Sequence, residues 1–123
     1  MSGFRVRVEA LADDALIVVR GGALEPIALR SDALTAHRRF GEYGISVFAA
    51  PEQADLVDLA CNRLFRFQEL TLMTAGAIRA VGLELRPTFR RPHYTVVLTI
   101  LERDLEQLLT CETVQWPNPH ANR

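Results

Sequence analysis

The sequence contains no lysine: all fourteen basic side chains in its 123 residues are arginine. Together with the abundant alanine, leucine and valine, this bias predicts a coding sequence from a high-GC, bacterial genome. It also makes every cationic side chain a planar, permanently charged fork that can bind a carboxylate or a phosphate through two hydrogen bonds. Because genome bias alone explains the composition, a functional use of arginine has to be argued from position.

Cysteine and histidine are scarce. Cys61 and Cys111 are the two cysteines, and neither is in a CxxC motif or at zinc-finger spacing. Both fall near the ends of apolar helical stretches, so we predict two buried free thiols. His37, His93 and His120 are far apart, and no HxH or HxxxH pair occurs. The sequence therefore predicts neither a disulfide framework nor a metal site.

Long apolar runs and an excess of charge are also missing. No apolar stretch approaches the ~18 residues of a membrane span, and the first residues lack the basic-then-apolar pattern of a signal peptide. The net charge is −1, so the chain as a whole attracts neither nucleic acid nor an anionic membrane. These absences predict a protein of the reducing cytoplasm, in which binding of an anion requires a local patch.

What is present is the composition of a globular protein, 49% hydrophobic and 24% charged. We predict one domain over residues 1–116, followed by a loose tail at 117–123. Apolar alternation and β-branched runs indicate strands, whereas 3.6-residue apolar spacing indicates helices. The predicted fold class is α+β, with a mixed β-sheet of five to seven strands and three or four short helices. Strands are expected at 4–9, 15–19, 45–49, 67–73, 83–86, 94–100 and 113–116, and helices beginning at 26 or 31, 51, 74 and 101.

Helical spacing also predicts which side chains of the first two helices are buried, and where the first helix ends. Gly41 or Gly44 is expected to terminate the first helix. Residues 45–73 and 94–116 share a strand–helix–strand pattern, which is typical of units that close one mixed sheet. The expected buried residues are Ile27, Leu34 and Phe40 in the first helix and Leu56, Val57, Leu59 and Ala60 in the second.

The densest polar cluster is the segment Arg86–Tyr94, with three arginines, a histidine and two aromatic residues in nine positions. Its prolines stiffen the backbone, which lowers the entropy cost of presenting side chains. Guanidinium groups suit a phosphate, aromatic rings can stack on a base, and a histidine titrates near neutrality. The alternative is a solvated loop whose arginines pair with acids on neighbouring helices. The candidates are the phosphate-binding Arg86, Arg90 and Arg91 and the catalytic His93 and Tyr94.

A second candidate lies at the end of the apolar strand 15–19, where Arg20, Gly21 and Gly22 follow in sequence. Ligands of α/β proteins often bind at strand ends, and paired glycines let backbone amides approach an anion. No Gly-Lys-Ser/Thr follows, so the segment is not a Walker motif. The alternative interpretation is a tight turn.

Two single residues add to the candidates. Glu84 interrupts an apolar stretch, and strand alternation places it opposite Leu83 and Leu85, on an exposed or cleft face. It is either a solvated strand carboxylate or a catalytic one. Ser46 lies among apolar residues at a strand start without a GxSxG context, so a nucleophile is not indicated and a bond to backbone is the alternative.

The order of Arg20, Ser46 and Glu84 along the chain resembles that of a known protein family. Arg20 closes an early strand, Ser46 lies in a middle strand before an alanine-rich helix, and Glu84 lies in a late strand. Over residues 16–98 this order resembles the arginine–serine–glutamate ADP-ribosyltransferases; of their Ser-Thr-Ser motif only Ser46 is present, and of their paired-acid or Gln-x-Glu motif only Glu84. The resemblance implies that Arg20 contacts an NAD phosphate, Ser46 supports the nicotinamide pocket and Glu84 orients the ribose. NAD would then be a substrate, with no resident cofactor implied.

Two functions follow as hypotheses. The first is a small effector or toxin-like enzyme that binds a nucleotide, NAD or RNA through its arginines. The second is a non-catalytic module, such as an antitoxin, an immunity protein or an assembly subunit, that presents the Arg-rich segment or Trp116–Pro117 to a protein partner. A concave pocket shared by Arg20, Glu84 and His93 favours the first, and a scattered arrangement with an apolar patch favours the second.

Overall fold

The computed structural model of the protein describes residue 6 and residues 9–121. These residues form six strands and four helices. In chain order the elements are β1 (Leu16–Gly21), α1 (Pro26–Phe40), β2 (Tyr43–Ala50), α2 (Gln53–Asn62), β3 (Glu69–Thr74), α3 (Ala75–Ala80), β4 (Glu84–Pro87), β5 (His93–Leu98), α4 (Leu101–Leu109) and β6 (Val114–Pro117).

The six strands form one sheet in the order β4-β5-β2-β1-β3-β6, and every pair of neighbours is antiparallel. The predicted α+β class is confirmed, with strand and helix numbers inside the predicted ranges. The sheet is antiparallel, however, where we expected a mixed one. Both strand–helix–strand units exist, but β2 and β3 lie on either side of β1, and β5 and β6 lie further apart. Each crossover helix therefore links parallel strands that are not neighbours, and no parallel ladder forms.

Strand alternation divides the core into two hydrophobic clusters. In β1, Ile17 contributes to the larger cluster and Val18 to the smaller one, because successive side chains point to opposite faces of a sheet. The larger cluster takes its buried helical residues from α1, α3 and α4, and the smaller takes them from α2. The helical members are Leu29, Ala33, Ala75, Ile78, Leu105 and Leu108 in the larger cluster and Leu56, Leu59 and Ala60 in the smaller.

A bulge near the end of β1 sets the direction of Arg20. Val18 is paired with Leu72 and Arg20 with Thr71, so Val19 is an extra residue in the β1 strand. A bulge places two consecutive residues opposite one partner and changes the alternation beyond it. Arg20 is thereby directed toward α1, where its Nη1 lies 2.9 Å from Oδ2 of Asp32.

The buried faces of the first two helices were predicted in part. In α1 the buried residues are Leu29 and Ala33, whereas Ile27 is 86% exposed, so its predicted burial is wrong. Ile27 precedes Leu29 by two positions and therefore lies on nearly the opposite side of a helix with 3.6 residues per turn. In α2 the burial of the predicted Leu56, Leu59 and Ala60 is confirmed, and Val57 is exposed.

Local signals fix the helix ends. Gly41 ends α1 with φ of 82°, the left-handed conformation that glycine adopts without a steric penalty. Thr74 caps α3 as predicted, because its Oγ1 accepts a hydrogen bond from the Ala77 amide at 3.1 Å. Glu52 and Asp55 form a capping box at the start of α2, one residue after Pro51.

The chain after β6 is held at Asn118, within the segment that we expected to be loose. Asn118 is 7% exposed, and its Nδ2 donates to the carbonyl oxygens of Leu64 at 3.1 Å and Phe67 at 3.0 Å. Its Oδ1 accepts from the amide of His120 at 2.9 Å. Because one buried side chain donates hydrogen bonds to several carbonyl groups, Asn118 cross-links the end of β6 to the turn after α2.

Three remaining sequence predictions have different outcomes. Cys111 is buried, but Cys61 is exposed because it lies one residue beyond the buried Ala60 on α2. Of the strand expected at 4–9, residues 4, 5, 7 and 8 lie outside the described residues, and Val6 forms an isolated antiparallel bridge with Thr88. Within the described ranges, no helix is long and apolar enough to cross a membrane.

Candidate functional site

The loop between β4 and β5 carries most of the Arg-rich segment. It is closed by two backbone hydrogen bonds, from the Thr88 amide to the His93 carbonyl at 3.3 Å and from the His93 amide to the Arg90 carbonyl at 2.8 Å. Phe89 has φ of 55°, a conformation that phenylalanine rarely adopts. Such backbone persists only where the surroundings hold it, and it occurs often at ligand sites. The Arg91–Pro92 peptide bond is cis.

Three side chains under this loop form a hydrogen-bonded chain. Oγ1 of Thr88 lies 2.8 Å from Nδ1 of His93 and 2.8 Å from Oγ1 of Thr95. Both threonines are buried, and His93 is half-buried. The Thr88 hydroxyl thereby orients the His93 imidazole, and the Thr95 hydroxyl contacts Thr88 in turn. The chain connects His93 to Thr95, which lines a surface cavity.

A row of aromatic rings runs past the same loop, and we call it the aromatic row. The ring centroids of Phe40 and Phe89 are 5.4 Å apart, those of Phe89 and His93 5.0 Å, and those of His93 and Phe48 6.0 Å. All of these distances lie in the range of favourable aromatic pairs. An arginine lies over each end of the row: Cζ of Arg39 is 5.4 Å from the Phe40 centroid, and Cζ of Arg63 is 5.9 Å from the Phe48 centroid.

A cavity of about 310 Å³, the Ser46 cavity, opens between α1, β2, β5 and the β4–β5 loop. Its polar lining combines one cation, one carboxylate and three hydroxyl groups, and two rings of the aromatic row form an apolar wall. Ser46 is exposed here and pairs across the sheet with Thr95. The side chains that give this cavity its chemistry are Asp32, Thr35, Arg39, Phe40, Ser46, Phe89 and Thr95.

Arg20 acts on this cavity through Asp32. Its Nη1 donates to Oδ2 of Asp32 at 2.9 Å, and Asp32 lines the Ser46 cavity. The other carboxylate oxygen of Asp32 retains its capacity to accept hydrogen bonds. Arg20, predicted as a ligand-binding residue, therefore orients a lining carboxylate.

The two glycines after Arg20 have structural roles. A Cβ atom at Gly21 would overlap the ring of Phe67, so this position requires the absence of a side chain. Gly22 has φ of 82°, its amide donates to the Glu69 carbonyl at 2.8 Å, and its carbonyl accepts from Oγ1 of Thr71 at 2.6 Å. The Gly22 amide that we expected to approach an anion thus has a partner within the protein.

Arg86 and Glu84 form an ion pair with each other and do not line a shared cavity. Arg86 donates from Nε and Nη2 to the two oxygens of Glu84 at 2.8 and 3.0 Å, and from Nη1 to Glu42 at 3.0 Å. The hydrogen bond from Arg86 lowers the pKa of Glu84, and the bond to Glu84 raises the pKa of Arg86. A carboxylate with a lowered pKa is a poor proton acceptor near neutral pH.

A second cavity, the Arg91 cavity, has a volume of about 340 Å³ and includes Arg91 and Pro92 of the same loop in its lining. Arg91 lines it and forms an ion pair with Glu9 at 3.2 Å. Tyr94 also lines it although its side chain is almost fully buried. Arg90 is exposed and forms no ion pair with any described residue.

The predicted site residues therefore divide among several places. Arg20, Glu84 and His93 do not share a cavity, and none of them lines any of five cavities described for residues 9–121. Arg20, Ser46 and Glu84, which carry the resemblance to ADP-ribosyltransferases, lie respectively beside Asp32, in the Ser46 cavity and beside Arg86. Of these three residues, Ser46 alone lines one of those five cavities.

Sequence reasoning missed the residues that α1 adds to the Ser46 cavity. Asp32, Thr35 and Arg39 recur at spacings of three and four, which places them on one side of a helix. That spacing was visible in the sequence. None of the three was named as a site residue, because the sequence does not show that the β4–β5 loop folds back beside α1.

Two further findings complete the description of the site. The described residues contain no group of three or more histidine, cysteine, aspartate or glutamate side chains placed to hold a metal ion. No family model, curated protein or solved structure matches this chain.

Proposed function

We propose that the protein binds a nucleoside monophosphate, or a ligand with the same base, sugar and phosphate groups, in the Ser46 cavity. In the wider hypothesis it is a small bacterial effector or toxin-like protein of the cytoplasm. The observation that carries the proposal is the convergence on one cavity of an arginine, an exposed aromatic ring and a set of hydroxyl groups. Each matches one part of a nucleotide.

The aromatic row suits the base. Phe89 is 37% exposed and lies between Phe40 and His93, which hold its ring on both sides. A base that stacks on such a ring contributes about 1–3 kcal/mol without requiring a particular sequence. The contacts of the Phe89 ring with Phe40 and His93 hold it in place before the ligand arrives, so that little conformational freedom is lost on binding.

The polar lining suits the sugar and the phosphate. Arg39 supplies a permanently charged fork, which can bind a phosphate with two hydrogen bonds. Asp32 is held in place by Arg20 and can accept from a ribose hydroxyl, as an acidic residue does in dinucleotide-binding proteins. The hydroxyl groups of Ser46 and Thr95 can donate or accept beside it.

Size and charge favour a small nucleotide over NAD or RNA. A volume of about 310 Å³ is near the lower end of ligand cavities, which favours a mononucleotide over the larger dinucleotide. The net charge of −1 gives no general attraction for a polyanion such as RNA. Arg86, one of the predicted phosphate ligands, already binds two carboxylates.

The test is a calorimetric titration of the whole chain with AMP, CMP, adenosine, inorganic phosphate, NAD and a short single-stranded RNA. We expect AMP to bind and both adenosine and phosphate alone to bind at least tenfold more weakly. Arg39→Gln should reduce AMP affinity by roughly 10–100-fold, since a hydrogen bond to a charged group contributes about 1.5–3 kcal/mol. Phe89→Leu should reduce it by roughly 5–100-fold through lost stacking.

Arg30→Gln is the matched control, because Arg30 is also on α1 but pairs with Glu102 outside the Ser46 cavity. It should leave AMP affinity unchanged. Absence of AMP binding, or equal losses in Arg39→Gln and Arg30→Gln, contradicts the proposal. Binding of NAD with higher affinity than AMP would instead support the ADP-ribosyltransferase hypothesis, and preference for RNA would support a nucleic-acid ligand.

One observation favours the second function, a protein-interaction module. Ile27 is 86% exposed at a groove between α1 and α4, beside Pro26 and Leu109, and Arg30 and Glu102 flank it. Apolar centres with charged rims are typical of interfaces. If this groove binds a protein, that partner should co-purify with the wild-type chain from a cell lysate. Ile27→Asp should abolish this co-purification while leaving AMP binding intact. If Ile27→Asp recovers the same proteins as wild type, the groove is not the interface.

A further inference from the structure

Strand β6 lies at one edge of the sheet, and within the described part of the chain its one strand neighbour is β3. No residue of β6 lines the Ser46 cavity, so the nucleotide proposal does not use this edge. Val114, the first residue of the strand, is 59% exposed, and Trp116 is half-buried. An edge strand with apolar side chains that reach solvent is a place where a further strand can pair.

Two backbone hydrogen bonds show which way the residues of β3 direct their N–H and C=O groups. The amide of Asn118 donates to the carbonyl of Gln68 at 2.8 Å, and the amide of Gly22 donates to the carbonyl of Glu69 at 2.8 Å. Gln68 therefore directs its carbonyl toward the end of β6, and Glu69 directs its carbonyl toward the end of β1. Because successive residues of a strand alternate in this direction, every second residue of β3 bonds to β6.

The same alternation fixes which backbone groups of β6 face outward. Val114 and Trp116 lie opposite the β3 residues that bond to β6, so their own N–H and C=O groups point to β3. The backbone groups of Gln115 and Pro117 consequently point away from β3. A proline in an edge strand lies where its missing N–H would face solvent, and Pro117 is in such a position.

The β6 edge lacks the charges that often keep sheet edges apart. Residues 113–118 read Thr-Val-Gln-Trp-Pro-Asn, without an acidic or basic side chain. At the other edge strand of the described sheet, β4, Glu84 and Arg86 form an ion pair. Like charges placed opposite each other destabilise a pair of strands, so an uncharged edge can approach an identical copy without that cost.

We propose that β6 pairs with β6 of a second copy of this chain, antiparallel and across a two-fold axis, so that two six-stranded sheets join into one. With the axis at Gln115, the two Gln115 residues exchange both of their backbone hydrogen bonds. The Thr113 amide then donates to the carbonyl of Pro117 of the partner subunit. Val114 lies opposite Trp116 of the partner subunit, in the non-hydrogen-bonded type of pair, whose side chains are closer together.

Side-chain chemistry favours this register. Hydrogen bonds between the two copies require outward-facing residues to oppose each other, and an axis at Gln115 does this along the whole strand. An aromatic residue opposite a β-branched one is a favourable cross-strand pair, and the two-fold axis forms it twice. Glu112 falls opposite Asn118 rather than opposite its own copy, so no like charges meet. Since both β6 edges are then used, the assembly closes at a dimer.

The experiment measures sedimentation of the whole chain together with the fluorescence of Trp116, the single tryptophan. The overlap is short and Pro117 donates no hydrogen bond, so we expect a weak dimer with a Kd on the order of 100 µM. Trp116 emission should move to shorter wavelength over the same concentration range, because Val114 of the partner subunit covers the ring. A chain that stays monomeric up to about 1 mM overturns the proposal, and so does a dimer that leaves the emission unchanged.

A pair of variants at Gln115 tests the backbone hydrogen bonds at the axis. Gln115→Pro removes the outward N–H and leaves the ladder to β3 intact. Gln115→Ala is the matched control, because both variants lose the side-chain contact with Thr71 but alanine keeps the N–H. Gln115→Pro should weaken the dimer about tenfold or more, and Gln115→Ala less than about threefold. Equal effects of the two variants overturn the assignment of the axis.

Two variants elsewhere separate this edge from the other exposed surface. Val114→Asp, at an exposed position, should weaken the dimer about tenfold or more even if proline disturbs β6, since pairing would bury its carboxylate. Ile27→Asp, in the groove between α1 and α4, should leave the dimer unchanged. A dimer that Ile27→Asp disrupts and Val114→Asp does not would form through the groove and overturn the proposal. Val114→Asp should bind AMP as wild type does, so the nucleotide and dimer proposals are tested separately.

Discussion

Asp104→Asn should destabilise the protein strongly at neutral pH and weakly in acid. Asp104 is 5% exposed, and its Oδ2 accepts from the amides of Thr99 at 2.8 Å and Ile100 at 3.0 Å, where β5 turns into α4. Its Oδ1 accepts from Nε of Arg103 at 3.0 Å. Burial alone would raise the pKa of this carboxyl, but the hydrogen bonds from Ile100, Arg103 and Thr99 together hold its pKa below the usual value.

The magnitude follows from those contacts. Asparagine keeps the shape and one acceptor oxygen but removes the charge. A hydrogen bond to a charged group contributes about 1.5–3 kcal/mol and a neutral one about 0.5–1.5 kcal/mol, so each of the two amide bonds weakens by about 1 kcal/mol. The contact with the largely exposed Arg103 adds little. The total of about 2 kcal/mol lowers the Tm of a chain this size by roughly 6–10 °C.

The pH dependence has a definite sign. A carboxyl whose pKa is lower in the folded protein contributes stability above its unfolded pKa, here near 3.8, and loses it as pH falls through the folded pKa. The difference in unfolding free energy between wild type and Asp104→Asn should therefore be about 2 kcal/mol at pH 7. It should shrink toward zero as the wild-type carboxylate is protonated.

Urea unfolding at a series of pH values between 7 and 3 measures this difference directly. Asp14→Asn is the control, because Asp14 is exposed in a turn, and it should change the free energy of unfolding by less than about 0.5 kcal/mol throughout. A gap between wild type and Asp104→Asn that is as large at pH 3 as at pH 7 would refute the reasoning. So would a gap at pH 7 no larger than that of the control.

Three further measurements test the packing. Gly21→Ala should lower the unfolding free energy by about 1–3 kcal/mol, because its Cβ overlaps the Phe67 ring, and urea unfolding of Gly21→Ala with and without Phe67→Ala should show a compensating coupling. Asn118→Ala should cost about 2–3 kcal/mol in a thermal melt, because buried carbonyl groups lose their donor. Native thiol labelling should modify Cys61 quickly and Cys111 only on unfolding, since burial raises the pKa of Cys111; two equally fast thiols would contradict this.

Helices and strands could be predicted from the sequence where a local signal determines their boundaries. The start of α4 at Leu101 was predicted as observed, and Gly41 and Thr74 mark helix ends through their own backbone and side-chain chemistry. The order of the strands could not be predicted from the sequence, because it depends on which strands pair with β1 across the sheet. A strand–helix–strand pattern indicates two parallel strands but does not show whether a third lies between them.

Only some residues of the candidate site could be predicted from the sequence, for a similar reason. The sequence indicated an aromatic residue in the segment Arg86–Tyr94 that could stack on a base, and it indicated Ser46 as a ligand contact. Phe89 of that segment and Ser46 both line the Ser46 cavity. It did not identify Arg39, because only the folded loop brings Phe89 near the end of α1. The bulge at Val19 also reverses the direction that simple alternation assigns to Arg20, and no single residue type signals that bulge.

Arginine in this chain serves mainly to bind its own carboxylates. Arg20, Arg79, Arg86 and Arg91 each form an ion pair with an acid more than forty residues away or on another element. Such pairs contribute little individually at the surface but fix the relative position of loops and strands. A search for phosphate-binding groups is therefore directed to Arg39 and Arg63, whose charges lie over aromatic rings.

The central position of β1 determines the order in which the sheet can assemble as the chain is synthesised. Residues 16–74 contain β1 and both of its neighbours, so β1, β2 and β3 emerge from the ribosome before β4, β5 and β6. Until β5 and β6 follow, the outer edges of β2 and β3 present unpaired backbone groups, which are templates for pairing with another chain. The sheet then grows outward in both directions, and β6, with the Asn118 anchor, closes the β3 edge. Release of a truncated chain before residue 114 would leave that edge open, which makes the interval before β6 emerges the one in which aggregation is favoured.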